Sequence, residues 1–180
     1  QFLDDPVATP ERLVQAETGV KPGTRLGPYV LQRLLGEGGM GAVYLADQDR
    51  PLRRRVAIKL IKPGMDTREV LARFEAERRV LARLSHPHIA AVHDAGSTPL
   101  GRPYFVMEYV DGERIGEYCD RRELSLEARL SIFAQVCDAV HHAHCQGVIH
   151  RDLTPGNVLV QDVAGVPVPK IIDFGVAKAI

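Results

Sequence analysis

Gly36-Glu37-Gly38-Gly39-Met40-Gly41-Ala42-Val43 is the stretch on which the fold turns. Glycines let a backbone approach phosphate groups closely and aim its N–H groups at them. The spacing G-x-G-x-x-G alone is weak evidence. A dinucleotide-binding unit needs a helix directly after the third glycine. Here Ala42-Val43-Tyr44-Leu45-Ala46 follows, which reads as a strand, and residues 29–35 read as a strand before it. The pattern predicts a glycine-rich hairpin folded over a nucleotide and counts against a dinucleotide-dependent oxidoreductase.

Downstream, residues 50–55 read as a basic, solvated hairpin tip. Residues 55–61 alternate, with Val56, Ile58 and Leu60 on one face and Ala57, Lys59 and Ile61 on the other. A small side chain at Ala57 leaves room for a flat base, and the Lys59 ammonium, two residues on, can reach phosphates. An edge strand with a solvent-facing lysine is the competing reading. Asp66 with Glu69 resembles a capping box opening a helix whose apolar stripe is Val70, Phe74, Leu81 and Leu84. Glu77 sits on that stripe, where a carboxylate is costly unless paired. Its natural cation is Lys59. The alternative is a stripe-edge glutamate that snorkels to solvent.

Strand-like runs follow near residues 89–94 and 104–109. Ser125 can cap a long helix through about Gln146, which Gly147 stops. Leu130, Ile132, Phe133, Val136, Val140 and Ala143 spread apolar character around much of that helix, as expected of one buried on several sides. Short strands are expected at 148–149, 158–160 and 170–172. A strand-rich half with one helix thus precedes a helical half. At the junction stand His150-Arg151-Asp152-Leu153-Thr154-Pro155-Gly156-Asn157 and Asp173-Phe174-Gly175.

Bulk properties narrow the function. The 180 residues carry 23 Lys plus Arg against 23 Asp plus Glu, so net charge gives no hint of nucleic acid or a membrane surface as partner. Cys119, Cys137 and Cys145 form no CxxC pair and read as reduced thiols of a cytosol-like compartment. No apolar run approaches the roughly 18 residues of a membrane span. Cys137, His141 and His144 share a helix face, but structural zinc sites recruit closed four-ligand sets, which counts against a metal there. Gln1 at the start, no methionine before Met40, and Ile180 directly after a motif lead us to expect a piece of a longer protein. Residues 1–26 read as an extension or linker.

Taken together, the motifs resemble eukaryotic-type protein kinases. Val56-Ala57-Ile58-Lys59 matches V-A-I-K, residues 150–157 fit H-R-D-L-x-x-x-N at each specified position, and Asp173-Phe174-Gly175 follows in family order. The likeness runs from about Gly27 to Ile180. His86-Pro87-His88-Ile89 and Phe174-Gly175-Val176-Ala177-Lys178 look like bacterial serine/threonine members.

The resemblance implies an α+β, bilobal protein-kinase-like fold. An antiparallel-sheet N-lobe with one helix, and the hinge, would span residues 27–110. A truncated, mainly helical C-lobe would span 111–180. It implies ATP and Mg²⁺ as cofactors and a protein hydroxyl as acceptor, with no nucleic acid and no membrane within this stretch. Leu35, Gly36, Glu37, Gly38, Gly39, Met40, Gly41, Ala42 and Val43 would cover the phosphates. Lys59, held by Glu77, would bind them. Met107 would guard the back pocket, backbone groups of Glu108 and Val110 would hold adenine, and Val43, Ala57 and Leu159 would sandwich it. Asp152 would accept the hydroxyl proton, while Asn157 and Asp173 would hold the metal. Leu81, Val92, Phe174 and His150 match the family's apolar spine. Thr154 stands where serine/threonine members usually have a phosphate-contacting lysine, so a pseudokinase-like nucleotide-binding scaffold is the alternative. A small-molecule kinase of related fold is disfavoured by Arg151 and Pro155. The missing later helices lead us to expect this stretch alone to be unstable and inactive. The kinase portion is expected in the cytoplasm.

Overall fold

The computed structural model describes residues 21–39, 41–62 and 84–173. Its larger sheet has six antiparallel strands: β1 (Arg25–Leu26), β2 (Tyr29–Gly38), β3 (Gly41–Gln48), β4 (Arg54–Ile61), β5 (Val92–Ser97) and β6 (Pro103–Glu108). Their order is β1-β2-β3-β4-β6-β5. β2 and β3 form the expected hairpin, with Gly38 opposite Gly41 at its tip.

The period-two pattern of β4 divides two cores. Val56, Ile58 and Leu60 pack with Tyr29, Leu31, Ala42, Tyr44, Ala46, Tyr104 and Val106 on one side. Ala57 packs with Phe105, Met107, Leu84 and Ile89 on the other. On the first side the Tyr29 hydroxyl donates to Asp94 Oδ2 at 3.2 Å, bringing β2 to the last strand of the order, β5. The sheet must curl for these to meet. Burial and then the Asp94 carboxylate push the Tyr29 phenol up to about 12.

The second core continues into the C-terminal half through Val136, Ala139 and Ala143 of a long helix. That half contains β7 (Glu113–Arg114), α1 (Ile115–Arg121), α2 (Leu126–Cys145), a 3-10 turn (Pro155–Asn157), β8 (Val158–Val163) and β9 (Val166–Ile171). α2 begins as the sequence predicts: Ser125 Oγ accepts from the Ala128 N–H at 3.3 Å. Gly147, at φ 75°, turns the chain away after it. α2 buries Ile132, Val136, Ala139 and Ala143, while Leu126, Leu130 and Phe133 stand exposed on another face.

Residues 148–149, expected as a strand, form none, Arg25–Leu26, read as part of an extension, form β1, and three further features depart from the sequence reading. α1 has only seven residues and no apolar stripe long enough to detect; Tyr118 and Cys119 are buried against Ile132 and Val160. The last strands are longer than expected because Ala164 (φ 54°) and Gly165 (φ 82°) turn β8 into β9, and alanine is not a usual signal for that conformation. β5 starts at Val92 rather than Ile89, which instead bridges in parallel to Ile171. That bridge, with Ala90 N–H donating to Ile171 O at 2.9 Å, ties the two halves together. The helix expected at residues 66–84, with Glu77, lies outside the described residues apart from its buried last position, Leu84. Among the described residues no helix is long and apolar enough to cross a membrane.

Candidate active site

A cleft of about 710 Å³ opens between the curled sheet and the small sheet β7-β8-β9. That size suits a small-molecule ligand. Its roof is the glycine hairpin, with Leu35, Gly36, Glu37, Gly38, Gly39, Gly41 and Val43 on the lining. Ala57, Lys59, Met107, Glu108 and Val110 border it from β4, β6 and the segment after β6. Asp152, Asn157, Leu159 and Asp173 border it from below.

One expected residue goes elsewhere. Ala42 is fully buried in the core on the opposite side of the sheet, because strand alternation turns its side chain away from that of Val43. Met40, Glu77, Leu81 and Phe174 lie outside the described residues. Of the expected spine, Val92 packs against the second core and His150 is buried.

Lys59 is 6% exposed, and its ammonium lies 3.0 Å from Asp173 Oδ2. Asp173 adopts φ 60°, a left-handed backbone that is uncommon outside glycine and clusters at functional sites. Arg151 does the same at φ 63°. His150 bolts the loop that begins at Arg151 to the residue that follows β9. Its Nδ1 accepts from the Asp152 N–H at 3.3 Å, and its Nε2 donates to Ile172 O at 3.0 Å. These partners require the neutral Nε2–H tautomer. Asn157 Nδ2 donates to Asp152 O at 2.8 Å, which leaves the amide oxygen Oδ1 as an acceptor. Ile172 N–H donates to Asn157 O at 2.9 Å, so the two expected metal ligands sit on bonded segments.

Glu108 N–H is taken by Ala91 O at 2.8 Å and is not available to a ligand. Sequence reasoning passed over the stretch that follows. Gly112, Glu113 and Arg114 also line the cleft. A Cβ on Gly112 would stand 2.8 Å from Val160 O, so only glycine lets this segment lie against β8. Arg121 Nε donates to Glu113 at 2.7 Å and holds its carboxyl below the usual range. No motif marks these residues; only the charge pattern could have hinted at them.

On α2, Cys145 Sγ lies 3.6 Å from His141 Nε2. Among the described residues no group of three His, Cys, Asp or Glu side chains gathers to hold a metal ion. His144 is exposed. His142 packs with its ring centroid 5.0 Å from that of His86.

The sequence matches the protein kinase domain family over residues 29–180. This chain belongs to the protein kinase family. Serine/threonine-protein kinase Pkn1 of Myxococcus xanthus is 40% identical over 158 residues, 87% of this kinase chain and 22% of that protein. Serine/threonine-protein kinase PknA of Mycobacterium tuberculosis is 44% identical over 163 residues, 87% of this chain and 37% of that protein. The chain thus spans well under half the length of these relatives. Among solved structures, the kinase domain of M. tuberculosis PknI superposes with a TM-score of 0.73 at 34% identity, covering 88% of this chain and 62% of that one. Kinases of this family use ATP and Mg²⁺.

Proposed function

We propose that this chain is the ATP-binding and catalytic-loop part of a protein serine/threonine kinase, which transfers the γ-phosphoryl group of ATP to hydroxyls of a protein substrate. One observation carries the reading: Lys59, Asp152, Asn157 and Asp173, drawn from three separate segments, line one cleft beneath a glycine hairpin.

The residues fit the nucleotide. A Cβ built on Gly36, Gly38 or Gly39 meets nothing within 4 Å, so the protein itself does not demand glycine there. Close approach of a phosphate chain does. Val43, Ala57 and Leu159 offer apolar surface to a flat base. Asn157 Oδ1 and the Asp173 carboxylate are hard oxygen donors of the kind Mg²⁺ takes. Bound there, the metal would neutralise charge on the phosphates.

The protein's own work is alignment. Lys59 holds phosphate oxygens by charge, in a site dry enough for that charge to count. Asp152, fixed through His150 and Asn157, orients the attacking hydroxyl and receives its proton. Alignment alone can supply on the order of 7–11 kcal/mol. Residues 27–110 act as N-lobe and hinge, 111–180 as the start of the C-lobe, and 1–26 as an extension whose last two residues, Arg25 and Leu26, add a strand to the N-lobe sheet. Free Cys119, Cys137 and Cys145 suit a cytoplasmic setting.

The test is transfer of radiolabelled phosphate from ATP to a generic basic protein by the full-length protein, beside an Asp152→Asn control. The wild type should label the acceptor on serine and threonine, and the variant should not. Equal labelling by both would sink the reading. Nucleotide binding without labelling would favour a pseudokinase, to which the uncharged Thr154 is the one pointer.

A further inference from the structure

Lys170 of β9 reaches Glu108 at the end of β6, its ammonium 2.6 Å from Oε1 and 2.8 Å from Oε2. The two side chains are 15% and 28% exposed, so the pair is shielded from much of the screening that weakens surface ion pairs. Glu108 Oε2 also accepts the Ala91 N–H at 3.2 Å. Glu108 belongs to the six-stranded sheet and Lys170 to the three-stranded one, so the pair spans the two halves of the molecule.

Lys170 opens a run of four residues, each tied to a different part of the site. Ile171 donates to His88 O at 2.8 Å and accepts from Ala90. Ile172 donates to Asn157 O and accepts from His150. Asp173 pairs with Lys59. On the opposite strand, Lys170 faces Leu159 in register, beneath the expected base. The strand end that sets Asp173 is therefore held at its upstream side by a salt bridge to the hinge. An ångström of misplacement at a reacting centre can cost on the order of a hundredfold in rate.

We propose that the Glu108–Lys170 pair is a strut between the hinge and the strand that carries Asp173, which makes Lys170 a positioning residue for phosphoryl transfer. The proposal rests on the kinase reading above. It concerns where Asp173 is held, not whether the cleft takes nucleotide.

The experiment compares Lys170→Met, Glu108→Gln, Lys170→Arg and the swap Glu108→Lys/Lys170→Glu in the full-length protein. Two quantities are read: kcat against KM for ATP, and the factor by which Mg²⁺ tightens ATP binding relative to EDTA. Lys170→Met and Glu108→Gln should lower kcat about tenfold with little change in KM, and should shrink the Mg²⁺ factor by a similar ratio. Lys170→Arg and the swap should recover most of both. Unchanged or raised kcat with an unchanged Mg²⁺ factor would overturn the proposal. So would a swap variant that melts like the wild type but stays as slow as Lys170→Met. If Lys170→Met does not fold, Glu108→Gln decides by the same two readouts. If the wild type transfers no phosphate, the kinase reading fails, and the Mg²⁺ factor still tests the strut.

Discussion

Lys59 Nζ stands 3.0 Å from Asp173 Oδ2, which joins β4, next to the glycine hairpin, to the end of β9. The contact places one buried cation and one metal-binding candidate on the same spot from opposite sides of the cleft. Removing either charge should damage both chemistry and packing. Lys59→Met should cut phosphate transfer at least about a hundredfold. It should also cost about 1–3 kcal/mol of stability, less than a fully buried pair would, because Asp173 keeps some solvent. Transfer assays and thermal melts of the full-length protein check this. A lower melt with normal transfer would contradict it.

The glycines of the hairpin should separate into two kinds. A Cβ on Gly41, at φ 155°, would lie 2.0 Å from Leu60 O, so Gly41→Ala must push β3 off β4. We expect a loss of about 2–4 kcal/mol and a clear fall in melting temperature. Gly38→Ala meets nothing within 4 Å in the protein. It should melt normally and weaken ATP binding, as titration with a fluorescent ATP analogue would reveal.

Thr154 precedes the Pro155–Asn157 turn, two residues from Asp152, with an exposed and uncharged side chain. Thr154→Lys adds a cation beside the proposed transfer path. It should raise kcat about tenfold without altering the melt. A rate that falls or stays level would mean the charge is supplied from elsewhere.

His86 packs between His88 and His142, with ring centroids 5.5 and 5.0 Å away. Burial, then His142, then His88, hold its proton affinity below the ordinary histidine value of 6.5, against a smaller opposing pull from Asp138. As pH falls, the unfolded chain therefore takes this proton first. Stability from this site is complete above pH 6.5 and is lost below it. The melting temperature should drop as pH falls below 6.5. His86→Asn, which keeps an acceptor for the His88 N–H, should flatten that drop.

Leu126, Leu130 and Phe133 are 73, 56 and 57% exposed on one face of α2. Apolar side chains in such a row favour association. Produced alone, the 180-residue chain should aggregate, show no cooperative melt and transfer no phosphate. Leu130→Gln with Phe133→Gln should reduce the aggregation, as light scattering would register. A soluble, cooperatively melting monomer would refute this.

The hairpin, the two faces of β4 and the start of α2 were legible because each rests on local rules. Strand alternation sorted Val56, Ile58 and Leu60 from Ala57 and Lys59, and Ser125 announced a helix cap. α1 and the Ala164-Gly165 turn were not legible. One is too short for periodicity, and the other places alanine in a left-handed conformation that local preference disfavours.

By itself the sequence determined which chemistry-bearing residues exist and the family order in which they occur, since residue type and spacing along the chain are its direct content. Only the tertiary structure decided which of them meet. Lys59 with Asp173, Glu108 with Lys170, and Glu113 with Arg121 are pairings set by the curl of one sheet, the register of another and the segment that joins them. Contacts between residues distant in the chain come from how elements pack, and no local pattern encodes that.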